Sequence, residues 1–231
     1  MKDLTGKTAV ITGASRGIGA ATAAELAAAG ANVCLLARSE TQIIELANDI
    51  GPRAMARACD VADYAALDAA IRAAQAAFGS VDILINNAGV IAPISALASV
   101  EPQEWSQMID INLKGVFYGI RAALPIMQAQ GFGSIINISS FAAFEPDPTF
   151  PTSGVFRAGL AAYTKLYADK YASENIRMNN VLPGFIDSLP EKEHFRERIP
   201  MQRYGTINEI SDVIAFLASE GAGYITGQNL R

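Results

Sequence analysis

Near the N-terminus, the run Thr12-Gly13-Ala14-Ser15-Arg16-Gly17-Ile18-Gly19 carries the first chemistry legible in the chain. Glycines at this spacing let the backbone take positive φ and let a ligand approach without meeting a Cβ. The free N–H groups of a helix start then point at an anion, with the helix dipole behind them. The ligand that fits is a dinucleotide pyrophosphate, although a tight turn uses the same residue types. The flanks favour the ligand. Thr8-Ala9-Val10-Ile11 is too short for a helix and reads as a buried parallel strand, and Ala20 to Ala29 are nearly all helix formers. The glycines therefore stand at a strand-to-helix turn, the context a pyrophosphate site requires.

Other candidates fall at further predicted strand ends. Asn32 to Ala37 reads as a second strand, followed by Arg38 and no carboxylate. An acidic residue there would bind a ribose 2′-hydroxyl and repel a 2′-phosphate, so Arg38, aided by Arg16, favours NADP(H) over NAD(H). Arg53 to Cys59 reads as a third strand and runs into Asp60-Val61. Asp60 can accept a bond from an adenine amino group or cap the next helix, and both roles stay open. Val81 to Ile85 is a fourth strand, followed by Asn86-Asn87-Ala88-Gly89. These two amides can tie neighbouring strands together, while Ala88-Gly89 leaves room for a flat ligand. Pro102 to Gln130 reads as a long helix with a break near Gly115 or Pro125. Trp105, Ile109, Asn112 and Val116 share one of its faces, and Asn112, an amide in an apolar stripe, needs a partner and reads as structural. Gly133 to Ser139 is a fifth strand, which sets the Ser140 hydroxyl at the carboxyl edge where open α/β sheets bind ligands.

The remaining segments supply the frame. Glu40 to Ile50 reads as a helix closed by Gly51-Pro52, and Leu67, Ile71, Ala74 and Phe78 mark one face of another, ended by Gly79. The stretch 141–152 is a proline-containing loop, and Thr152-Ser153 opens a helix to about Ser173. Ile176 to Leu182 is a sixth strand ending in Pro183-Gly184. Polar residues Asp187 to Arg198 form a lid over the sheet edge, Asn208 to Ser219 is a helix, and 221–231 begins a seventh strand. Alternating strands and helices give one doubly wound parallel sheet.

Composition bounds the reading. The 231 residues are 51% apolar, enough for a core without disulfide or metal. A net charge of −5, with 18 basic and 23 acidic residues in no long run, argues against a nucleic-acid partner. No signal-peptide core and no bilayer-length apolar stretch is found, so no membrane partner is expected. Cys34 and Cys59 lie in predicted strands as small core residues, and a cytoplasmic protein is implied. One histidine and two cysteines leave little for a zinc site, so no metal is expected.

Taken in order, TGASRGIG at 12–19, NNAG at 86–89, Asn112 on its helix, NISS at 137–140 and IRMNNVLPG at 176–184 resemble the short-chain dehydrogenase/reductase family across nearly the whole chain. YITGQ at 224–228 fits the C-terminal strand of that family, which usually continues a little further to a Gly-Gly-containing tail. The resemblance implies a single domain over 1–231 with a seven-stranded Rossmann-type sheet. It also implies a nicotinamide dinucleotide and hydride transfer between it and a small alcohol or carbonyl substrate. The implied cofactor contacts are Gly13, Ser15, Arg16, Gly17, Ile18, Gly19, Arg38, Asp60, Val61, Asn87, Ala88, Gly89, Arg157, Pro183 and Gly184. The usual machinery is an Asn, a Ser and a Tyr-x-x-x-Lys pair. Asn112 and Ser140 match the first two, whereas the tyrosine position holds Ser153 and the lysine position holds Arg157.

That difference matters chemically. A tyrosine starts near a pKa of about 10 and is brought toward working pH by a cation, while a serine is a weaker acid and much shorter. Arg157, at i,i+4 from Ser153, keeps the charge and can bind the nicotinamide ribose, but it does not readily release a proton. Capping explains Ser153 equally simply, and a salt bridge explains Arg157. Ser140 stays open between a satisfied strand-end hydroxyl and an oxyanion donor. The expected function is an NADP(H)-dependent oxidoreductase with non-standard proton delivery. The alternatives are a catalytically silent NADP-binding protein acting as sensor, scaffold or partner subunit, and a lyase or isomerase on the same fold. Relatives commonly pair through the two long helices, so a homodimer or homotetramer is expected.

Overall fold

The apolar runs form strands whose side chains are buried on both sheet faces in the middle of the sheet, as near-continuous hydrophobic segments demand, while its two edge strands are half-buried to exposed. In the computed structural model, which describes residues 3–89, 100–148 and 150–231, the strands are β1 (Thr8–Thr12), β2 (Asn32–Ala37), β3 (Ala54–Ala58), β4 (Ile83–Asn86), β5 (Gly133–Ile138), β6 (Ile176–Val181) and β7 (Asn229–Leu230). Met1, Lys2 and Thr149, which the sequence reading covers, lie outside the described residues. The strands form one seven-stranded sheet in the order β3-β2-β1-β4-β5-β6-β7, with every pairing parallel. The doubly wound fold expected from the sequence is thus present. Its order reverses between β1 and β4, so a crevice opens at their carboxyl ends.

The helices are α1 (Gly17–Ala28), α2 (Glu40–Ile50), α3 (Tyr64–Phe78), α4 (Pro102–Ile109), α5 (Gly115–Gln130), α6 (Pro151–Tyr171), α7 (Glu193–Arg196) and α8 (Ile207–Ala218). They bury the two faces separately. Ile11, Leu35, Ile85 and Ile136 pack with Leu26, Ile43 and Leu217 on one side. Val10, Leu84, Ile135 and Met178 pack with Leu67, Ile71, Ile120 and Leu160 on the other. Each such buried side chain contributes about 1.5–3 kcal/mol. Among the described residues no helix is long and apolar enough to cross a membrane.

Several details depart from the sequence reading. Of the two breaks expected in the long helix, the one at Pro125 is absent, since that residue sits inside α5, and the one near Gly115 is present. The latter is a π-turn over Asp110–Lys114, where the Gly115 N–H reaches five residues back to the Asp110 carbonyl. The extra residue shifts the buried face to Met108, Ile111, Asn112 and Val116, leaving Trp105 and Ile109 half-buried. Asp60 does not cap α3. It lies a turn too early and accepts from Ala62 N at 3.0 Å, while Asp63 accepts from Ala65 N and Ala66 N at 2.9 and 3.1 Å. Ser153 is not the cap of α6 either. Pro151 suits a first helical position by its fixed φ and missing N–H, so the helix starts earlier, Phe150 takes the cap position and Ser153 lies inside the first turn. Cys59 lies just past β3 rather than in it. Both cysteines are free and buried, and burial pushes the Cys34 thiol up to about 12 and that of Cys59 to about 11.

Candidate active site

The glycine turn is built against β4. Thr12 ends β1, and its Oγ1 accepts from the backbone N–H groups of Asn87 and Ala88, each at 3.0 Å, while donating to the Ile85 carbonyl at 3.3 Å. Asn87 Nδ2 donates to the carbonyls of Thr12 and Gly13 at 3.0 Å. The NNAG segment is therefore the buttress of the turn. A methyl group at Gly13, where φ is +66°, would lie 2.8 Å from Ala88 Cα. Gly17, with φ +56°, has open space instead, since a methyl there would meet only Ser188 Cβ at 3.6 Å. Gly13 thus serves close approach of backbone to backbone, and Gly17 leaves the mouth of the turn clear. Arg16 is the cap residue of α1 and makes no side-chain capping bond, so the first N–H groups of that helix keep their capacity for an anion.

The other expected contacts line the same edge. Ser15 and Ile18 are half-buried in the turn, and Arg38, just past the buried Ala37, is exposed. Val61 is buried and Asp60 exposed beyond β3, and Pro183-Gly184 follows β6. The Pro183 carbonyl accepts from Phe141 N at 3.2 Å, which joins this segment to the end of β5. Among the described residues no group of three or more His, Cys, Asp or Glu side chains could hold a metal ion.

Ser140, Asn112, Ser153 and Arg157 come from three elements. Ser140 caps a short 3₁₀ turn, its Oγ accepting from Ala142 N at 3.3 Å, so its hydroxyl proton stays available as a donor. Arg157 Nη1 donates to the Ile138 carbonyl at 2.9 Å and Nη2 to Asn112 Oδ1 at 3.3 Å. The π-turn presents Asn112 for that contact, and Asn112 Nδ2 also lies 3.6 Å from Met108 Sδ. A methyl at Gly89 would stand 3.1 Å from Asn112 Oδ1 and 3.3 Å from Arg157 Nη2, so Gly89 walls the same space. Arg157 is half-exposed by surface while its guanidinium sits deep among protein atoms. Burial pushes that guanidinium down to about 10, and it remains charged at neutral pH. A carboxylate salt bridge, the alternative weighed for Arg157, is not what holds it. Ser153 is half-buried and its side chain makes no hydrogen bond among the described residues.

The lid segment carries α7 and is seated on aromatic rings. Phe185 stacks on Phe195 at 4.5 Å and tilts against Phe141 and Tyr204 at 5.6 and 5.8 Å, and Phe150 meets Phe195 at 6.0 Å. An ion pair of Arg198 with Asp147 at 2.7 Å joins lid to loop.

Sequence reading missed the row that holds these strand ends in register. Asn86 donates to Asn137 at 2.9 Å, Asn137 to Asn180 at 2.9 Å, and Asn180 to Asn229 at 2.7 Å, side chain to side chain across four strands. Thr164 of α6 accepts from Asn137 at 3.3 Å and donates to Asn180 at 2.8 Å. The signal was an Asn near the end of each of four successive predicted strands, paired with a second Asn at 86–87 and 179–180.

A parallel sheet with a glycine turn at its switch point, and a hydroxyl, an amide and a cation at the next strand end, defines a Rossmann-class α/β protein of dinucleotide type. The sequence pattern of a family described as enoyl-(acyl carrier protein) reductase matches residues 13–231. The chain belongs to this family, within the NAD(P)-dependent oxidoreductases of the short-chain dehydrogenase/reductase type. It is 40% identical to the 3-oxoacyl-[acyl-carrier-protein] reductase FabG of Staphylococcus aureus, over 97% of this chain and 95% of that one. It is 38% identical to 3beta-hydroxysteroid dehydrogenase 1 of Eggerthella lenta, over 99% and 92%. The crystal structure of a 3-ketoacyl-(acyl-carrier-protein) reductase from Brucella melitensis complexed with NADH superposes with a TM-score of 0.95 at 33% identity, covering 99% of this chain and 97% of that one.

Proposed function

We propose that the protein is an NADP(H)-dependent oxidoreductase acting on a small alcohol or carbonyl compound, with proton delivery unlike that of its relatives. The observation that carries the cofactor reading is the glycine turn, open at Gly17, with Arg16 and Arg38 at its margins and no carboxylate at the end of β2. In this reading Gly13, Ser15, Gly17, Ile18 and Gly19 cradle the pyrophosphate, Arg16 and Arg38 receive the 2′-phosphate, and Asp60 and Val61 flank the adenine. Asn87, Ala88, Gly89, Pro183 and Gly184 border the rest of the dinucleotide, and Arg157 reaches the nicotinamide ribose. Bound there, NADP(H) supplies or accepts a hydride.

Ser140 holds the substrate oxygen through its free hydroxyl proton. Reduction leaves that oxygen needing one proton. Ser153 and Arg157 occupy the positions that the family resemblance assigns to the tyrosine and lysine, and neither is a ready acid near neutral pH. A water held by Ser153 relays a proton from bulk solvent to that oxygen in this reading, taking one up as it gives one, with Asn112 fixing the guanidinium. Pairing through α5 and α6, where Leu166 is 69% exposed, gives a homodimer or homotetramer.

Fluorescence titration with NADPH and NADH tests the cofactor. We expect NADPH to bind about tenfold more tightly or better, and Arg38→Ala to erase most of the difference. Equal or tighter binding of NADH sinks the NADP reading. If the protein then turns over a carbonyl panel and Ser140→Ala abolishes it, the altered relay is supported. Turnover that appears only on restoring Tyr and Lys at 153 and 157 marks the parent as silent.

A further inference from the structure

Among the described residues no carboxylate pairs with the Arg157 cation. Its two hydrogen bonds go to a backbone carbonyl and a side-chain amide, both uncharged. A guanidinium has five N–H donors, so three remain unspent. A buried charge ordinarily finds an opposite charge or is costly to keep. Lys165, the next cation along α6, is already ion-paired to Asp169 on the outside.

A second observation lies beside it. The Ser139 hydroxyl is buried and has no hydrogen-bond partner among the described residues. Side chains alternate along a strand, so Ser139 shares the face of Asn137, which meets Thr164 of α6. Arg157 stands two turns before Thr164, on the same face of that helix. Ser153, one turn before Arg157, is too short to cover it. Arg157 holds the Ile138 carbonyl, the peptide group that leads into Ser139, so a cation with spare donors and an orphaned hydroxyl lie side by side at the end of β5.

We propose that Arg157, with Ser139, is the receptor for a carboxylate on the substrate, so that the chain takes small oxo or hydroxy acids rather than uncharged carbonyl compounds. The assignment of oxo and hydroxy acids rests on the oxidoreductase reading above; the carboxylate site itself does not. A planar guanidinium fork matches a carboxylate edge, and a single cation suits one negative charge better than the two of a phosphate monoester. The anion supplies the counter-charge that the protein omits.

The test compares 2-oxobutanoate with 2-oxobutanamide, which differ in charge and little in shape. Binding to the intact protein is followed by thermal shift and calorimetry, with and without NADP+. We expect the acid to bind at least about tenfold more tightly than the amide. Arg157→Met should remove the preference and Arg157→Lys should keep part of it. Equal binding of acid and amide overturns the proposal, as does a preference that survives in Arg157→Met. If Arg157→Met does not fold, the Arg157 Nε–H resonance of the wild type, assigned by its loss in Arg157→Lys, decides: it must move with the acid and not with the amide. Nucleotide binding is measured separately. A protein that prefers the acid but binds no nucleotide overturns the oxidoreductase reading alone, and one that binds nucleotide without preferring the acid overturns the carboxylate receptor alone.

Discussion

The two halves of the carboxyl edge are made differently. Beside β1 and β4, the glycine turn is held by backbone groups and two side chains: Thr12 takes two N–H groups and Asn87 serves two carbonyls. Beside β5 and β6, the opposing edge relies on side chains from distant segments, with Arg157 reaching across to Ile138 and Asn112 and a ring cluster seating the lid. The first half spends its side chains on its own backbone and leaves one buried amide oxygen, Asn86 Oδ1, without a partner among the described residues. The second keeps, among the same residues, a buried hydroxyl without a partner and a charge without a counter-charge. A shared cofactor calls for one invariant shape, whereas a particular substrate is met by groups left unspent until it arrives.

Breaking the first half should cost most. Gly13→Ala places a Cβ 2.8 Å from Ala88 Cα at a positive φ, and about 3 kcal/mol of stability should be lost in urea unfolding, together with nucleotide binding. The seam between the halves should cost less. Thr164→Val takes one acceptor from Asn137 and one donor from Asn180 while each keeps its neighbour in the row, and a loss of about 1–2 kcal/mol is expected by the same measurement. At the lid, Arg198→Ala removes a largely exposed cation from Asp147. Stability should change by less than about 1 kcal/mol, while hydrogen exchange over 193–198 speeds up.

The smallest effect lies beyond both halves, at the start of α8. Arg203 and the Thr206 N–H hold the Glu209 carboxyl down to about 2, from 4.5 unperturbed. Because the folded value is the lower, this contribution is complete above pH 4.5 and fades as pH falls toward 2. Glu209→Gln should flatten that part of the stability–pH curve, with a small loss of stability at neutral pH that vanishes toward pH 2.

Legibility in the sequence follows the same division. The glycine turn, and the elements at 32–37 and 40–50, are specified by adjacent residues and were found with their boundaries intact. A break near Gly115 was legible too, but not that it is a π-turn, because one added residue leaves the helical pattern of residue types almost unchanged. The start of α6 was misplaced because a serine resembles a cap, while the proline two residues earlier had already set the first turn. The asparagine row was invisible until the register was known, since Asn86, Asn137, Asn180 and Asn229 become neighbours only when β4 to β7 are aligned.

Helix α6 has two seats on the sheet, seven residues apart: Thr164 in the asparagine row and Arg157 on the Ile138 carbonyl. A slide of one residue would vacate both at once, so no gradual path leads to another position. Any slide of the helix to accommodate a different guest therefore costs both contacts together. Divergence toward new substrates in this lineage therefore has to be written in the 141–150 and 187–198 segments, which frame the entrance, while the post they hang on stays where it is.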